Sequence, residues 1–150
     1  MLTLKISSFS YKKGLPKSES PHGGGFVFDC RCITNPGRED QYKLKTGQDP
    51  DVQAFLEAIA EAHDFFGHIT TLVRNSITAY QRRGFAELEV AFGCTGGQHR
   101  SVYFAEKLAR LFSSETEVVA VLTHRDMPVS GPQMNTRTPL KNDGIPAKEE

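Results

Sequence analysis

The chain has 150 residues, the size of one domain, and 38% of them are hydrophobic, which supports one ordinary core and excludes a disordered chain. Its 18 Lys and Arg residues balance 18 Asp and Glu residues, so net charge gives no global reason to expect nucleic-acid binding. No apolar run approaches the roughly 20 residues of a membrane helix, and the first residues lack a signal-peptide layout. We therefore expect a soluble, cytoplasmic protein without membrane contact.

The first part of the chain predicts two strands separated by a loop. Residues 2–9 alternate between apolar and polar side chains, which indicates a strand. Residues 11–25 contain two prolines and three consecutive glycines, which are typical of a loop. A short apolar run over residues 26–30 predicts a buried strand that ends before the turn at residues 35–37.

A long helical segment follows. Apolar residues recur at helical spacing over residues 50–82, which predicts one broken helix or two helices. Asp49 or Asp51 is expected to cap its first turn, where Pro50 is favourable. Gly67 is expected to mark a break or a close contact.

The last third alternates strand and helix. A strand is predicted over residues 86–93, an amphipathic helix over 102–112 and a strand over 118–122. Residues 127–150 hold four prolines and two glycines and are predicted to form a flexible tail after a domain of residues 1–126. The order strand, strand, helix, strand, helix, strand predicts an α/β fold: a single domain with a largely parallel sheet and flanking helices.

Three chemically rich segments follow three of these strands. They are Asp29-Cys30-Arg31, the glycine-containing stretch over residues 93–101, and His124-Arg125-Asp126. Because parallel strands gather their carboxyl ends at one edge, where ligands of such sheets bind, we expect the three segments to converge on one site.

The stretch Gly93-Cys94-Thr95-Gly96-Gly97-Gln98-His99-Arg100-Ser101 has the composition of an anion-binding loop. Its two adjacent glycines permit tight curvature, and the helix that follows directs free N–H groups and its positive dipole end into the loop. Arg100 offers a bidentate fork and His99 a titratable donor. The alternative is a plain strand-to-helix turn. The predicted ligand-binding residues are Asp29, Arg31, Cys94, Thr95, Gly96, Gly97, Gln98, His99, Arg100, Ser101, His124 and Arg125.

The same loop suggests a catalytic alternative. Its spacing Cys-x-x-Gly-x-x-Arg-Ser resembles the phosphate loop of cysteine-dependent phosphatases, in which a thiolate attacks phosphorus. Cys94 would be the nucleophile and Arg100 the transition-state clamp, with Asp29 or Asp126 as general acid. Since Gly93 stands where those enzymes have His, we favour a binding protein over an enzyme and assign no catalytic residue.

The remaining polar residues define further expectations. Cys30 and Cys32 are predicted to share a face of one strand, at a spacing that lacks the two-residue gap of zinc or redox pairs; we expect no metal and no cofactor. The Asp29–Arg31 pair is either a structural salt bridge or a contact for a sugar hydroxyl or amine. A pure RNA-binding domain is a third possibility, with Lys12, Lys13 and Lys107 as candidate RNA contacts.

The ordered motifs also resemble one family. They are Tyr11-Lys12, Gly14-Leu15-Pro16, Phe26-Val27-Phe28-Asp29-Cys30-Arg31, Asn35-Pro36, Leu44-Lys45-Thr46-Gly47, the loop over residues 93–101, and His124-Arg125-Asp126. From about Ser8 to Asp126 they are similar to the C-terminal domain of the RapZ RNase-adapter family.

This resemblance implies a sensor and adapter domain without catalysis. It would bind small regulatory RNA and an amino-sugar phosphate, and it would self-associate. The implied pocket consists of Asp29, Cys94, Thr95, His99 and Arg100. Full-length members carry an N-terminal Walker-type nucleotide-binding domain, which we expect this chain to lack. We therefore expect a phosphorylated small molecule or RNA as ligand, and a separate nucleotide-binding protein or a further copy of the chain as partner.

Overall fold

The computed structural model describes residues 1–22, 24–128 and 138–139. In them five strands form one sheet in the order β2-β3-β1-β4-β5, with β1 to β4 parallel and β5 antiparallel to β4. The strands are β1 Leu2–Ser10, β2 Gly25–Asp29, β3 Glu87–Cys94, β4 Val118–His124 and β5 Thr138–Pro139. The helices are α1 Pro50–Glu57, α2 Ala60–Arg82 and α3 Arg100–Phe112. The predicted α/β single domain with a largely parallel sheet is confirmed.

The core lies between one face of the sheet and the helices. In β1 the alternation predicted from the sequence places Leu2, Leu4 and Ile6 on this face, and all three are buried. The same cluster contains Phe92 of β3 and Phe104 of α3, whose rings stack with centroids 6.2 Å apart. Because α3 contacts β1, β3 and β4, it holds the middle of the sheet together.

The opposite face of the sheet carries no described α-helix. Side chains such as Lys5, Ser7 and Val27 line a cavity of about 480 Å³ on this face, and residues 16–19 form part of its wall. Ser18 fixes that segment because its hydroxyl donates a hydrogen bond of 2.5 Å to Glu89. Residues 16–19 of the predicted loop therefore pack against the sheet.

The long helical segment consists of two helices, one of the two forms expected. The break falls at Ala58 and Ile59, where the extended backbone of Ile59 begins α2. Gly67 was expected to mark a break or a close contact, and both are wrong: it lies inside α2, and a Cβ on it would meet no atom within 4 Å beyond its own helical turns. Asp49 precedes α1, but its carboxylate accepts the N–H of Thr46 at 2.7 Å instead of capping the helix.

The cysteines also depart from expectation. Strand β2 ends at Asp29 and the chain turns directly afterwards, so Cys30 is buried while Cys32 is exposed. The expectation that they share a face of one strand is wrong.

No helix among the described residues has both the length and the apolar character needed to cross a membrane. The predicted flexible tail over residues 127–150 lies outside the described residues, except for residues 127–128 and the two residues of β5.

Candidate functional site

The loop between β3 and α3 lies beside the end of β1. Strand β3 ends at Cys94 and α3 begins at Arg100, so residues 95–99 connect them. Gly97 adopts a φ of 66°, in the left-handed region that favours glycine, and a Cβ there would lie 3.0 Å from the backbone nitrogen of Ser10. The tight bend expected at Gly96-Gly97 is thus formed, with Gly97 as the residue that needs it.

The backbone N–H groups of residues 95–102 have no hydrogen-bond partner among the described residues. Within the described part of the chain, none of them donates a hydrogen bond to a carbonyl or side chain. They include the free donors of the first turn of α3, whose dipole adds positive potential at this end. Thr95 and Gly96 are exposed, so the opening is accessible to an anion.

Arg100, the first residue of α3, directs its side chain to the segment after β2. Its side chain is buried, and Nη1 donates to the carbonyl oxygens of Arg31 at 3.1 Å and Ile33 at 2.9 Å. Its Nε is also buried and has no hydrogen-bond partner among the described residues. The guanidinium therefore fixes the segment after β2.

Cys94 and Ser101 face each other across the base of the loop. Both are buried, and Sγ of Cys94 lies 3.1 Å from Oγ of Ser101. This contact ties the end of β3 to the first turn of α3. A thiol this deep has little access to a substrate phosphorus, so the geometry does not favour the phosphatase alternative.

Gln98 and His99 hold a neighbouring loop. The amide nitrogen of Gln98 donates to the carbonyls of Lys43 at 2.7 Å and Lys45 at 2.8 Å. Nε2 of His99 lies 2.7 Å from the carbonyl oxygen of Tyr42, and because a carbonyl only accepts, this nitrogen carries a proton. Sequence reasoning did not include residues 42–47 in the site; the Leu44-Lys45-Thr46-Gly47 motif was the available signal.

His124 belongs to a buried chain of polar groups. Its Nδ1 lies 2.6 Å from the hydroxyl of Ser8, and its Nε2 lies 2.8 Å from a carboxylate oxygen of Glu106. Gln48 donates to the same oxygen at 2.8 Å. Sequence reasoning gave no role to Ser8 or Glu106, because the contacts join residues far apart in the chain.

Arg125 and Asp126 close the site at the end of β1. The carboxylate of Asp126 accepts the N–H of Ser10 at 2.7 Å and Nη2 of Arg125 at 2.8 Å. Burial raises the pKa of Asp126, but these two partners outweigh it and the pKa is lowered from its usual value. Arg125 also donates to the carbonyl of Gly14 at 2.7 Å, which anchors the chain after β1.

Asp29, Arg31 and Tyr11 form an exposed rim. Two nitrogens of Arg31 bind the Asp29 carboxylate, with a closest distance of 2.7 Å, and the guanidinium lies 3.9 Å from the centre of the Tyr11 ring. The hydrogen bond from Arg31 lowers the pKa of Asp29. The salt bridge expected as one alternative is therefore present, on a surface that a ligand can reach.

The candidate RNA contacts lie in two places. Lys12 and Lys13 are exposed directly after β1, whose last residue donates its hydroxyl to the carbonyl of Thr95 at 2.7 Å. Lys107 instead pairs with Glu57 at 3.0 Å and lies over the ring of Phe66. Only the first two lysines border the loop.

The three polar segments that follow β2, β3 and β4 lie close together, as expected from the sequence. Asp29 pairs with Gly93 in the sheet, Arg100 binds the carbonyl of Arg31, and Asp126 lies beside Gly97. No group of His, Cys, Asp and Glu in the described ranges could hold a metal ion.

Comparison with known proteins identifies relatives over nearly all of this domain. The profile of the RapZ C-terminal domain matches residues 2–128. A nucleotide-binding protein of Halorhodospira halophila is 43% identical over 84% of this chain and 42% of its own length. Nucleotide-binding proteins of Methylococcus capsulatus and Nitrosomonas europaea are 39% and 44% identical over 85% and 84% of this chain, and 41% of their own lengths. The chain thus spans about two fifths of the curated relatives it matches.

Proposed function

The chain belongs to the RapZ C-terminal domain family, and on that premise we propose that it is a regulatory binding module whose loop over residues 93–101 holds a phosphate group. The single observation that carries this proposal is the set of N–H groups without a described partner at the N-terminus of α3. Such a set, backed by a helix dipole and reached here from the exposed Thr95 and Gly96, is the arrangement that anionic oxygens bind in many proteins.

The charges around the loop support an anionic ligand. Arg100 follows the loop directly and adds a buried positive charge, and the exposed Lys12 and Lys13 lie nearby after β1. The Arg31–Asp29 pair adds a cation and a carboxylate at the rim. Because a carboxylate accepts hydrogen bonds from hydroxyl and ammonium groups, we propose that the ligand carries such groups beside its phosphate, as a sugar phosphate does.

We assign indirect roles to the other predicted ligand residues. Gln98, His99 and His124 each bind protein groups, so their role is to hold the loop and its neighbours in place. Cys94 and Ser101 form its base. Thr95, Gly96 and Gly97 remain as the residues whose backbone the phosphate would contact.

The module's context is part of the proposal. Its relatives are named nucleotide-binding proteins, and we propose that residues 1–126 act with a nucleotide-binding protein or as an oligomer, in the cytoplasm. RNA is the second ligand class, since its phosphates would meet the same loop and Lys12 and Lys13 border it.

Titration of the full chain with inorganic phosphate, followed by amide NMR, tests the site. Amide signals of residues 95–102 should shift with a common dissociation constant. Gly97→Ala should weaken binding about tenfold or more, because a Cβ at positive φ distorts the bend. Gly67→Ala, in open space on α2, is the matched control and should bind normally. Shifts that avoid this loop, or equal binding by both variants, would refute the proposal.

Two further measurements separate the competing functions. Incubation with an aryl phosphate should give no turnover that Cys94→Ser removes; such turnover would establish the phosphatase instead. Affinity for RNA should fall steeply as salt rises if phosphates are the contacts, and Lys12→Ala should reduce the salt slope by about one.

A further inference from the structure

Two buried cysteines lie opposite each other where β2 and β3 end. Asp29 is the last paired residue of β2, opposite Gly93. The N–H of Cys30 donates to the carbonyl of Gly93 at 2.8 Å, which continues the parallel hydrogen-bond pattern by one residue. Cys30 therefore lies opposite Cys94, and both belong to the buried cluster under α3.

The spacing of neighbouring strands permits a disulfide at this place. Adjacent strands lie about 4.8 Å apart, inside the range of about 4.4–6.8 Å over which disulfides join Cα atoms. Both residues lie at strand ends and face the same side of the sheet, since the preceding in-register pair, Phe28 and Phe92, brings its rings to within 5.7 Å.

The third cysteine differs in exposure. Cys32 is exposed and follows Cys30 by two residues, whereas Cys30 and Cys94 are buried. Burial raises the pKa of the Cys30 thiol well above its usual value, and the nearby Cys94 adds to this shift. A dissolved oxidant therefore reaches Cys32 first, because an accessible thiol reacts before a buried, protonated one.

We propose that these residues form a thiol switch, in which Cys30 and Cys94 close a reversible disulfide beneath the loop and Cys32 receives the oxidant. The oxidant is a low-molecular-weight disulfide, such as that of glutathione. The switch needs no other co-reactant, because the small disulfide accepts both electrons.

The chemistry is a series of thiol–disulfide exchanges. The Cys32 thiolate attacks the small disulfide, forms a mixed disulfide and releases one small thiol. The Cys30 sulfur then attacks Sγ of Cys32 and displaces the second small thiol. Finally the Cys94 sulfur attacks Sγ of Cys30 and returns Cys32 to its thiol form, so the protein loses two hydrogens and the small disulfide gains them.

Closure would alter the loop. The Cys94 sulfur now holds 3.1 Å contact with the Ser101 hydroxyl, and a bond to Cys30 would draw it away from the first turn of α3. We expect the oxidised protein to bind inorganic phosphate more weakly. This effect on binding rests on the function proposed above, whereas formation of the disulfide does not depend on that function.

Tryptic mapping of the full chain detects the Cys30–Cys94 disulfide directly. Cleavage after Lys and Arg places the three cysteines on separate peptides, residues 18–31, 32–38 and 84–100. After treatment with oxidised glutathione and alkylation of free thiols, peptides 18–31 and 84–100 should appear joined, while 32–38 is alkylated. Reduction should separate them. Oxidation confined to Cys32, with the other two cysteines alkylated, would overturn the proposal.

The variant Cys32→Ser tests whether Cys32 is the thiol that reacts first with the oxidant. Cys32→Ser, an exposed change that should leave the fold intact, should slow formation of the joined peptide about tenfold or more. An unchanged rate would contradict the role of Cys32. If the joined peptide forms while reduced protein does not bind phosphate, the switch stands and the proposed function fails; the reverse result rejects the switch alone.

Discussion

Asp126 illustrates how one side chain at this site joins two strands. Its carboxylate is buried and accepts hydrogen bonds from the Ser10 backbone and from Arg125. The backbone bond connects the end of β1 to the chain after β4 without a strand ladder. Since these partners lower the pKa of Asp126 below 3.8, its usual value, the ionised carboxylate stabilises the folded state.

The stabilisation by Asp126 depends on pH with a definite sign. With a folded pKa below the unfolded one, the contribution is complete above pH 3.8 and is lost as the pH falls through the folded value. Asp126→Asn should lower the free energy of unfolding by about 2 kcal/mol at pH 7, and the difference from wild type should shrink in acid.

Chemical denaturation between pH 7 and acid measures this effect. Asp64→Asn, an exposed position on α2, is the control and should change stability by less than about 0.5 kcal/mol. A constant deficit of Asp126→Asn at every pH would contradict the assignment.

At the scale of elements, the loop before α1 is held against the start of α3. The N–H of Gly47 donates to the carbonyl of Gln98 at 2.9 Å, and a Cβ on Gly47 would lie 2.3 Å from the carbonyl oxygen of His99. Such an approach is possible only without a side chain, because the nearest obstacles are backbone atoms. The glycine of the Leu44-Lys45-Thr46-Gly47 motif thus permits close contact between the loop before α1 and the start of α3.

Two glycine-to-alanine changes should have opposite signs. Gly47→Ala should destabilise the protein by about 1–3 kcal/mol, because backbone must move to admit the methyl group. Gly67→Ala should stabilise it by about 0.5–1 kcal/mol, because its site in α2 is open and alanine favours the helix. Thermal unfolding of both variants measures this, and equal effects would contradict the packing described.

At the scale of the whole molecule, a buried polar chain joins elements that the hydrophobic core also joins. It runs from Ser8 of β1 through His124 of β4 to Glu106 of α3, where the exposed Gln48 donates to the Glu106 carboxylate. Every member is distant in sequence from the next, so the chain exists only when the sheet, α3 and the loop before α1 are assembled. Such a network stabilises one arrangement because unpaired buried polar groups are costly.

Removal of the Glu106 carboxylate tests how much this buried chain stabilises the protein. Glu106→Ala leaves His124 and Gln48 without their acceptor and should lower the free energy of unfolding by about 1–3 kcal/mol. Glu115→Ala, which breaks the exposed pair with Arg74, should cost no more than about 1 kcal/mol. Urea denaturation measures the free energy of unfolding of both variants. Equal losses would show that the buried chain contributes no more to stability than an exposed ion pair.

The order of elements was accessible from local patterns. Alternation at Leu2, Leu4 and Ile6 and helical spacing over residues 50–82 predict the fold class, because each pattern reports which face is buried. The break in the long helical segment was misplaced at Gly67. Glycine weakens a helix without ending it, and what ended α1 was the extended backbone of Ile59.

The sequence by itself determined the α/β class, the glycine bend before α3 and the family, because these depend on residues close together in the chain. Only the tertiary structure decided where the polar side chains of the loop point. Gln98, His99 and Arg100 turn to carbonyls of residues 31–45, which reach them through sheet pairing and loop packing. Each of these side chains donates to a backbone carbonyl that becomes its neighbour only in the folded chain. That carbonyl lies more than fifty positions away in the sequence.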